Sequence, residues 1–335
     1  MAADIVKIAF VFNCKTDDSL EQAEFDAPET VEAIRGALAS GGHDVVLVEM
    51  PADDSQRALA EKLRQVSPDI VFNTAEGSAG VARESFGPLV FESLGIPFAG
   101  TGSRGCVLTL DKQATKDVVE KAGVRVVPGR FARSAEELAR AGVEIGFPVF
   151  VKPNFEGSSK GISRRSVCRD PEELRSYGDE CLEQFPEGVL VEQFVPGRDI
   201  GVPFIAGLGA DGVLEPVEYA LLAARNDEER IYDYDLKNVD DNALECVCPA
   251  PVSDAAREEM MSGMRKLVPA LGIADFARAD FRVATNGDVF FLEVNALPSL
   301  QPGAGIFVAA ARHGLDYAGA ILQILAAARA RYDMG

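Results

Sequence analysis

The first hundred residues alternate strand and helix in a way that a parallel sheet accommodates best. VKIAFVF (6–12) reads as a buried strand. TVEAIRGALASGGHDVVLVEM (30–50) reads as an amphipathic helix, a Gly-Gly stop and a second strand. A helix around 55–66, the strand DIVFNTA, a helix around 84–94 and IPFAG follow. Strands joined by helices predict an α/β layer, and ligands of such layers sit beyond the carboxyl ends of the strands. NTAEGSAG (73–80) lies at such an end. It is either a substrate loop or a plain glycine-rich turn.

At 335 residues the chain exceeds what one core supports. Three stretches are expected: an N-terminal α/β unit over 1–105, a central unit over 106–188 and a C-terminal unit over 189–335. The net charge of −20 argues against a nucleic-acid or anionic-membrane partner, without excluding a local basic pocket for phosphates. The six cysteines, at 14, 106, 168, 181, 246 and 248, have no zinc-type spacing. No apolar stretch approaches the ~18 residues of a membrane span, and MAADIVKIAFVF lacks the features of a signal peptide. A cytoplasmic protein with reduced thiols is the expectation. With only His43 and His313, a histidine-based metal site or a Ser-His-Asp triad is not expected.

Chemistry concentrates in three segments. In VFVKPNFEGSSKGI (149–162), Lys152 sits in an apolar strand, and Gly157 and Gly161 flank Ser158, Ser159 and Lys160. Glycines let backbone N–H groups approach an anion, and the hydroxyls add donors. The segment fits a phosphate cradle, and fits equally a common Gly/Ser hairpin tip. In VLVEQFVPGRDIGV (189–202), Glu192 and Asp199 flank a Pro-Gly turn. They face water, or they accept from the amine and ribose of a nucleoside.

The third segment, RADFRVATNGDVFFLEVNA (278–296), reads as a hairpin around Asn286-Gly287. A two-residue turn places Asp280 opposite Glu293 and Arg278 opposite Asn295. It puts Phe290 and Leu292 on the apolar face and Phe291 on the polar one. Opposed carboxylates repel; with Asn295 they offer hard oxygen donors that suit magnesium. Arg278 is placed to meet an anion developing beside the metal. The alternative is a surface face neutralised by Arg278 and Arg282.

Together, in order, these segments resemble the ATP-grasp carboxylate–amine ligases, and most closely their D-alanine–D-alanine ligase branch. LGIPFAGTG with LTLDKQATKDVVEKAGV matches the start of the central domain, and IYDYDLKN (231–238) matches a lysine-bearing flexible loop. The resemblance implies an α+β ATP-grasp fold in which two subdomains clasp ATP. It implies that Lys112 and Lys152 hold phosphates and that Ser158 and Ser159 cover them. Glu192 and the Val195 backbone would read adenine, Asp199 the ribose, and Ile231 and Leu292 would pack on the ring. Lys237 would reach the phosphates when the loop 223–242 closes as a lid. Asp280, Glu293 and Asn295 would bind Mg2+, in two ions, with Mn2+ able to substitute. Arg278 would steady the acyl-phosphate and tetrahedral oxygens. The family is often dimeric through its N-terminal domain, which favours a homodimer.

The implied reaction is attack of a carboxylate on the γ-phosphate, then of an amine on the acyl phosphate. A different ATP-grasp transfer and a nucleotide-binding protein without turnover are the other classes. The substrate side departs from the pattern. FNTAEGSAGVARES (72–85) lacks the family's histidine-glycine motif, Asn238 replaces a tyrosine after Lys237, and Ala304 or Gly305 stands where a serine holds the second substrate's carboxylate. An amino-acid or small-peptide amine is expected, with an acid other than D-alanine. Glu76, Arg83 and Glu84 are candidate acid-side contacts. Gly303 and Gly305, in PGAGIF, open a helix whose free N–H groups would hold a carboxylate. Neutralising Asp280 or Glu293 should relieve repulsion, so metal-free stability should hold or rise.

Overall fold

A computed structural model of the chain describes residues 5–221 and 244–334. It contains three sheets. Strands β1 (Lys7–Phe12), β2 (Asp44–Glu49), β3 (Ile70–Asn73) and β4 (Phe98–Ala99) form a parallel sheet in the order β2-β1-β3-β4. Strands β5 (Gly129–Ala132), β6 (Val149–Pro153), β7 (Val167–Cys168) and β8 (Val189–Gln193) form an antiparallel sheet, β5-β8-β6-β7. Strands β9 (Gly197–Ile205), β10 (Val217–Leu221), β11 (Leu244–Val247), β12 (Phe276–Ala284) and β13 (Val289–Asn295) form a second antiparallel sheet, β11-β10-β9-β12-β13. The N-terminal α/β layer and the two α+β units match the expected fold class.

The continuous apolar run of β1 reflects burial on both faces, as parallel strands require. Ile8 and Phe10 pack toward α1 (Pro28–Ser40) and α10 (Tyr317–Arg331), through Ile34, Leu38, Ile321 and Ile324. Ala9 and Val11 pack toward α2 (Gln56–Val66) and α3 (Phe86–Leu94), through Leu59, Leu63, Val90 and Phe91. The last helix of the chain thus closes the first sheet. Helices α4 (Ser103–Leu110) and α5 (Lys112–Lys121) likewise lie against the third sheet, with Val119 in a core that includes Phe281 and Phe291. The second sheet has its own core with α6 (Ala135–Ile145) and α7 (Pro171–Gln184). Helix α8 (Asp254–Leu271) backs the third sheet, and the short α9 (Gly305–Ala311) follows β13. We keep the division at 105 and 188 as a proposal; β8, just past 188, belongs to the second sheet, and the cores cross both boundaries.

The hairpin β12–β13 pairs Arg278 with Asn295 and Asp280 with Glu293, by a route different from the expected one. The turn holds three residues, not two: the Ala284 N–H donates to Asp288 O at 2.8 Å, and Gly287 adopts a φ of 89°. That moves the pairing by one residue, to Val283 with Val289 and Phe281 with Phe291. A bulge at Leu292, between the Phe281–Phe291 and Asp280–Glu293 pairs, then moves it back. The assignment of faces is corrected accordingly. Phe291 is fully buried in the core, whereas Leu292 and Glu293 both line the cleft. Two consecutive residues can share that face only because of the bulge.

Candidate active site

A cleft of about 600 Å³ lies between the second and third sheets and is walled at one end by the loops of the first. Both lysines are fixed from one junction. Asp111 caps α5, accepting from Ala114 N at 3.0 Å, and also accepts from the Asn154 side chain at 2.8 Å. Asn154 follows β6, so this clamp sets Lys112, at the start of α5, against Lys152, near the end of β6. Lys152 lines the cleft, and burial pulls its ammonium down to about 8. Its Nζ lies 3.0 Å from Oε2 of Glu192, while Lys116 meets the other oxygen. Burial pulls Lys116 well below the usual lysine range. A polyanion at the cleft would favour the charged forms of both lysines.

Lys112 is buried beside the hairpin. Its Nζ is 3.4 Å from Glu293 and donates to the carbonyl of Glu156. It therefore joins the hairpin to the glycine-rich loop. In that loop Ser158 and Ser159 have φ values of 49° and 57°, in the left-handed region, and both line the cleft. Val195 and Asp199 also line it, and both are tied to Arg282. The Arg282 Nε donates to Val195 O at 2.9 Å and its Nη1 to Asp199 at 2.8 Å.

On the floor, Arg278 grips Asp280 through Nε and Nη2, at 2.7 and 2.8 Å. Gly201, across from Asp280 on β9, makes room for this pair; a Cβ there would lie 3.1 Å from Arg278 Cδ and 3.2 Å from Asp280 Oδ1. Burial raises the Asp280 carboxyl above its usual range despite Arg278. Burial also acts on Glu293, but Lys112, Lys152 and Arg278 outweigh it and hold that carboxyl low. The Asn295 amide nitrogen donates to Asp280 at 3.1 Å, which leaves its oxygen as the donor atom for a cation. Among the described residues no cluster of three His, Cys, Asp or Glu side chains could hold a metal. Two carboxylates and one amide fit a magnesium ion whose other ligands are water and phosphate.

The end wall holds what sequence reasoning missed. Glu24, with its side chain 3% exposed, accepts from Arg83 Nη2 at 2.9 Å through both oxygens and from Lys160 at 2.7 Å. It also accepts from the backbone of Gly157 at 2.8 Å. It thus ties the first sheet's loops to the glycine-rich loop. Burial pushes its carboxyl up, and Arg83 and Lys160 pull it further down, to about 2. The only sequence signal was position, since Glu24 lies in the segment after β1, at that strand's carboxyl end.

Arg83 is corrected as an acid-side contact. It lies outside the cleft lining and holds Glu24 and the carbonyl of Phe155, the latter at 2.7 Å. Glu76 and Glu84 do line the cleft. Gly305 lines it and Gly303 does not. The Gly305 N–H donates to the Tyr219 hydroxyl at 2.7 Å, which corrects the expectation of a free amide there. Ile231, Lys237 and the lid at 223–242 fall on 222–243, outside the described residues.

Burial drives Glu76 well above the carboxylate range and, outweighing Arg83, raises Glu84 to about 7. A carboxyl raised on folding stabilises the fold fully below its unfolded value of 4.5, and that contribution is lost as pH rises through about 7. The ligand-free protein should therefore lose on the order of 1–3 kcal/mol across this window through Glu84. Glu84→Gln should flatten the fall in Tm over the same window. An unchanged slope in thermal unfolding would remove Glu84 as its source.

Comparisons with known proteins agree with this geometry. A family model described as D-ala D-ala ligase C-terminus matches residues 119–326. A D-alanine–D-alanine ligase of Citrifermentans bemidjiense is 31% identical over 89% of this chain and 89% of its own length. One of Pseudomonas fluorescens is 32% identical over 88% of this chain and 84% of its own. The fold is also that of a D-alanine–D-alanine ligase from Bacillus anthracis complexed with ATP. That likeness has a TM-score of 0.74 at 19% identity and covers 98% of this chain and all of the other. No helix among the described residues is long and apolar enough to cross a membrane. The chain belongs to the D-alanine–D-alanine ligase family of ATP-grasp, ADP-forming carbon–nitrogen ligases.

Proposed function

We propose that the protein joins a carboxylate to the amine of an amino acid or small peptide through an acyl phosphate, releasing ADP and phosphate. The observation that carries this is one cleft in which Lys152, the Ser158–Ser159 loop, Asp280, Glu293 and Arg278 converge. Lys112 and Lys152 hold phosphates, and Ser158 and Ser159 cover them. Val195 offers its backbone N–H to adenine, because its carbonyl is taken by Arg282. Asp199 faces the ribose and Leu292 the ring. Glu192 has both oxygens against lysines, so it orders the phosphate side as well as facing the base. Asp280, Glu293 and Asn295 would hold Mg2+, or Mn2+ in its place. When bound, the cation offsets charge on the terminal phosphates. Arg278 receives the negative charge that develops on the acyl oxygen.

The acid substrate faces the wall of Glu76 and Glu84. Excluding water there protects the acyl phosphate from hydrolysis. Relatives named D-alanine–D-alanine ligases favour D-alanine as a second reading. The histidine-glycine motif missing from 72–85 favours a different acid. The resemblance favours a homodimer in solution.

A panel of acids and amines, followed by ADP release and mass analysis of the product, tests the reading. An amide product formed with one ADP per bond is expected. A phosphorylated product without an amide would mean a transfer that stops at phosphate. No ADP release with any pair would mean binding without turnover. D-alanyl-D-alanine as the main product would make the second reading correct.

A further inference from the structure

Arg282, on β12, is 6% exposed and lines the cleft. It stands directly across from Asp199 where β12 pairs with β9. Its guanidinium bridges the two sides of the Pro196-Gly197 turn: Nε donates to the Val195 carbonyl at 2.9 Å and Nη1 to Oδ1 of Asp199 at 2.8 Å. No described residue donates to the other Asp199 oxygen or accepts the Val195 N–H. Both residues line the cleft, so what they have left to offer a ligand is the Val195 N–H and the Asp199 Oδ2 acceptor. The turn is pinned from β12 as well, because a Cβ at Gly197 would run into the Val283 carbonyl. Arg198, next to Asp199, turns to Glu218 and the Pro251 carbonyl, at 2.7 Å each. An aspartate side chain that is 36% exposed would otherwise sample several rotamers; held through one oxygen, it keeps the other in one place. A guanidinium is a planar fork and can hold two acceptors at fixed angles.

We propose that Arg282 is the positioning residue for nucleoside recognition: by holding the Val195 carbonyl and one Asp199 oxygen, it sets the other oxygen against a ribose hydroxyl and makes the protein select ribonucleotides over deoxyribonucleotides. This rests on the nucleotide half of the reading above, in which Asp199 faces the ribose. Arg282 touches no substrate in this role and acts through Asp199. A carboxylate accepts the hydrogen of a ribose hydroxyl and finds no partner in the deoxy sugar. The difference is felt only while the carboxylate is aimed. A guanidinium that merely neutralised Asp199 would be indifferent to the sugar.

The test uses the full chain with Mg2+ and compares ATP, 2′-deoxyATP and 3′-deoxyATP by titration calorimetry. Wild type is expected to bind ATP about ten- to a hundredfold more tightly than at least one deoxy form. Arg282→Met should bring that ratio below about threefold, and Arg282→Lys, which keeps the buried charge but only one point donor, should restore part of it. Asp199→Ala should lose the ratio as well. Adding Arg282→Met to it should change the ratio no further, because both act through one contact.

A general structural defect would weaken all three nucleotides alike and leave the ratio at its wild-type value. That result in Arg282→Met, or independent losses in the double variant, would overturn the role. If Arg282→Met does not fold, Arg282→Lys decides: one ammonium cannot hold both acceptors, so a full wild-type ratio there would refute the proposal. Wild type that binds ATP and both deoxy forms equally would leave the nucleotide reading standing and sink the inference. Wild type that binds no ATP would sink both.

Discussion

Glu293→Gln is expected to abolish magnesium-dependent ADP release, by on the order of a thousandfold or more. The substitution keeps shape and removes the charge shared between the cation site and two lysines. Its effect on stability is the reverse of what two bare opposed carboxylates imply. Glu293 is 3.4 Å from Lys112, and Lys112, Lys152 and Arg278 hold its carboxyl low. Removing it leaves buried Lys112 without its carboxylate partner, so the metal-free protein should lose about 1–3 kcal/mol at neutral pH. The expectation of equal or higher stability is thus corrected for this residue. Kinetics with and without chelator, together with Tm in chelator, check both parts. A Glu293→Gln enzyme with near-normal turnover would remove the hairpin from the catalytic centre.

Glu24→Ala is expected to be the more disruptive change to the fold. It strips the shared partner from Arg83 and Lys160, whose side chains are 2% and 6% exposed, and from the Gly157 amide. Breaking a buried ion network from one side costs about 3–5 kcal/mol. The carboxyl is held down near 2, so its contribution is present above 4.5 and is lost as pH falls toward 2. The gap in Tm between wild type and variant should therefore be wide at neutral pH and close in acid. Hydrogen exchange should rise first in residues 155–162, the loop that Glu24 holds. A variant that unfolds within a degree of wild type at neutral pH, with the loop equally protected, would show that Glu24 does not support it.

The alternation of strand and helix in the first hundred residues, and the apolar run of β1, determined the parallel sheet by themselves. Both periodicities follow from burial that local sequence encodes directly. The glycine-rich segment, the hinge around Pro196-Gly197 and the acids of the hairpin were equally legible, because each works through residues close together in the chain. Opposition of Asp280 and Glu293 was read correctly through compensating errors. The turn has one residue more than Asn-Gly implied, and the bulge at Leu292 restores the register. A bulge has no fixed sequence signature, and it is stabilised here by the neighbouring segment, where Phe291 N–H donates to Arg125 O at 2.8 Å.

Only the tertiary structure could reveal the contacts that join distant parts of the chain. Glu24 meets Lys160 across 136 positions, Gly305 meets Tyr219 across 86, and α10 returns to cover β1. Arg83 looked like a substrate contact from its loop and proved to be the counter-ion of a residue 59 positions earlier. Such pairings are decided when the sheets pack. A buried charge must find its partner wherever the fold brings one, and local patterning carries no record of that choice.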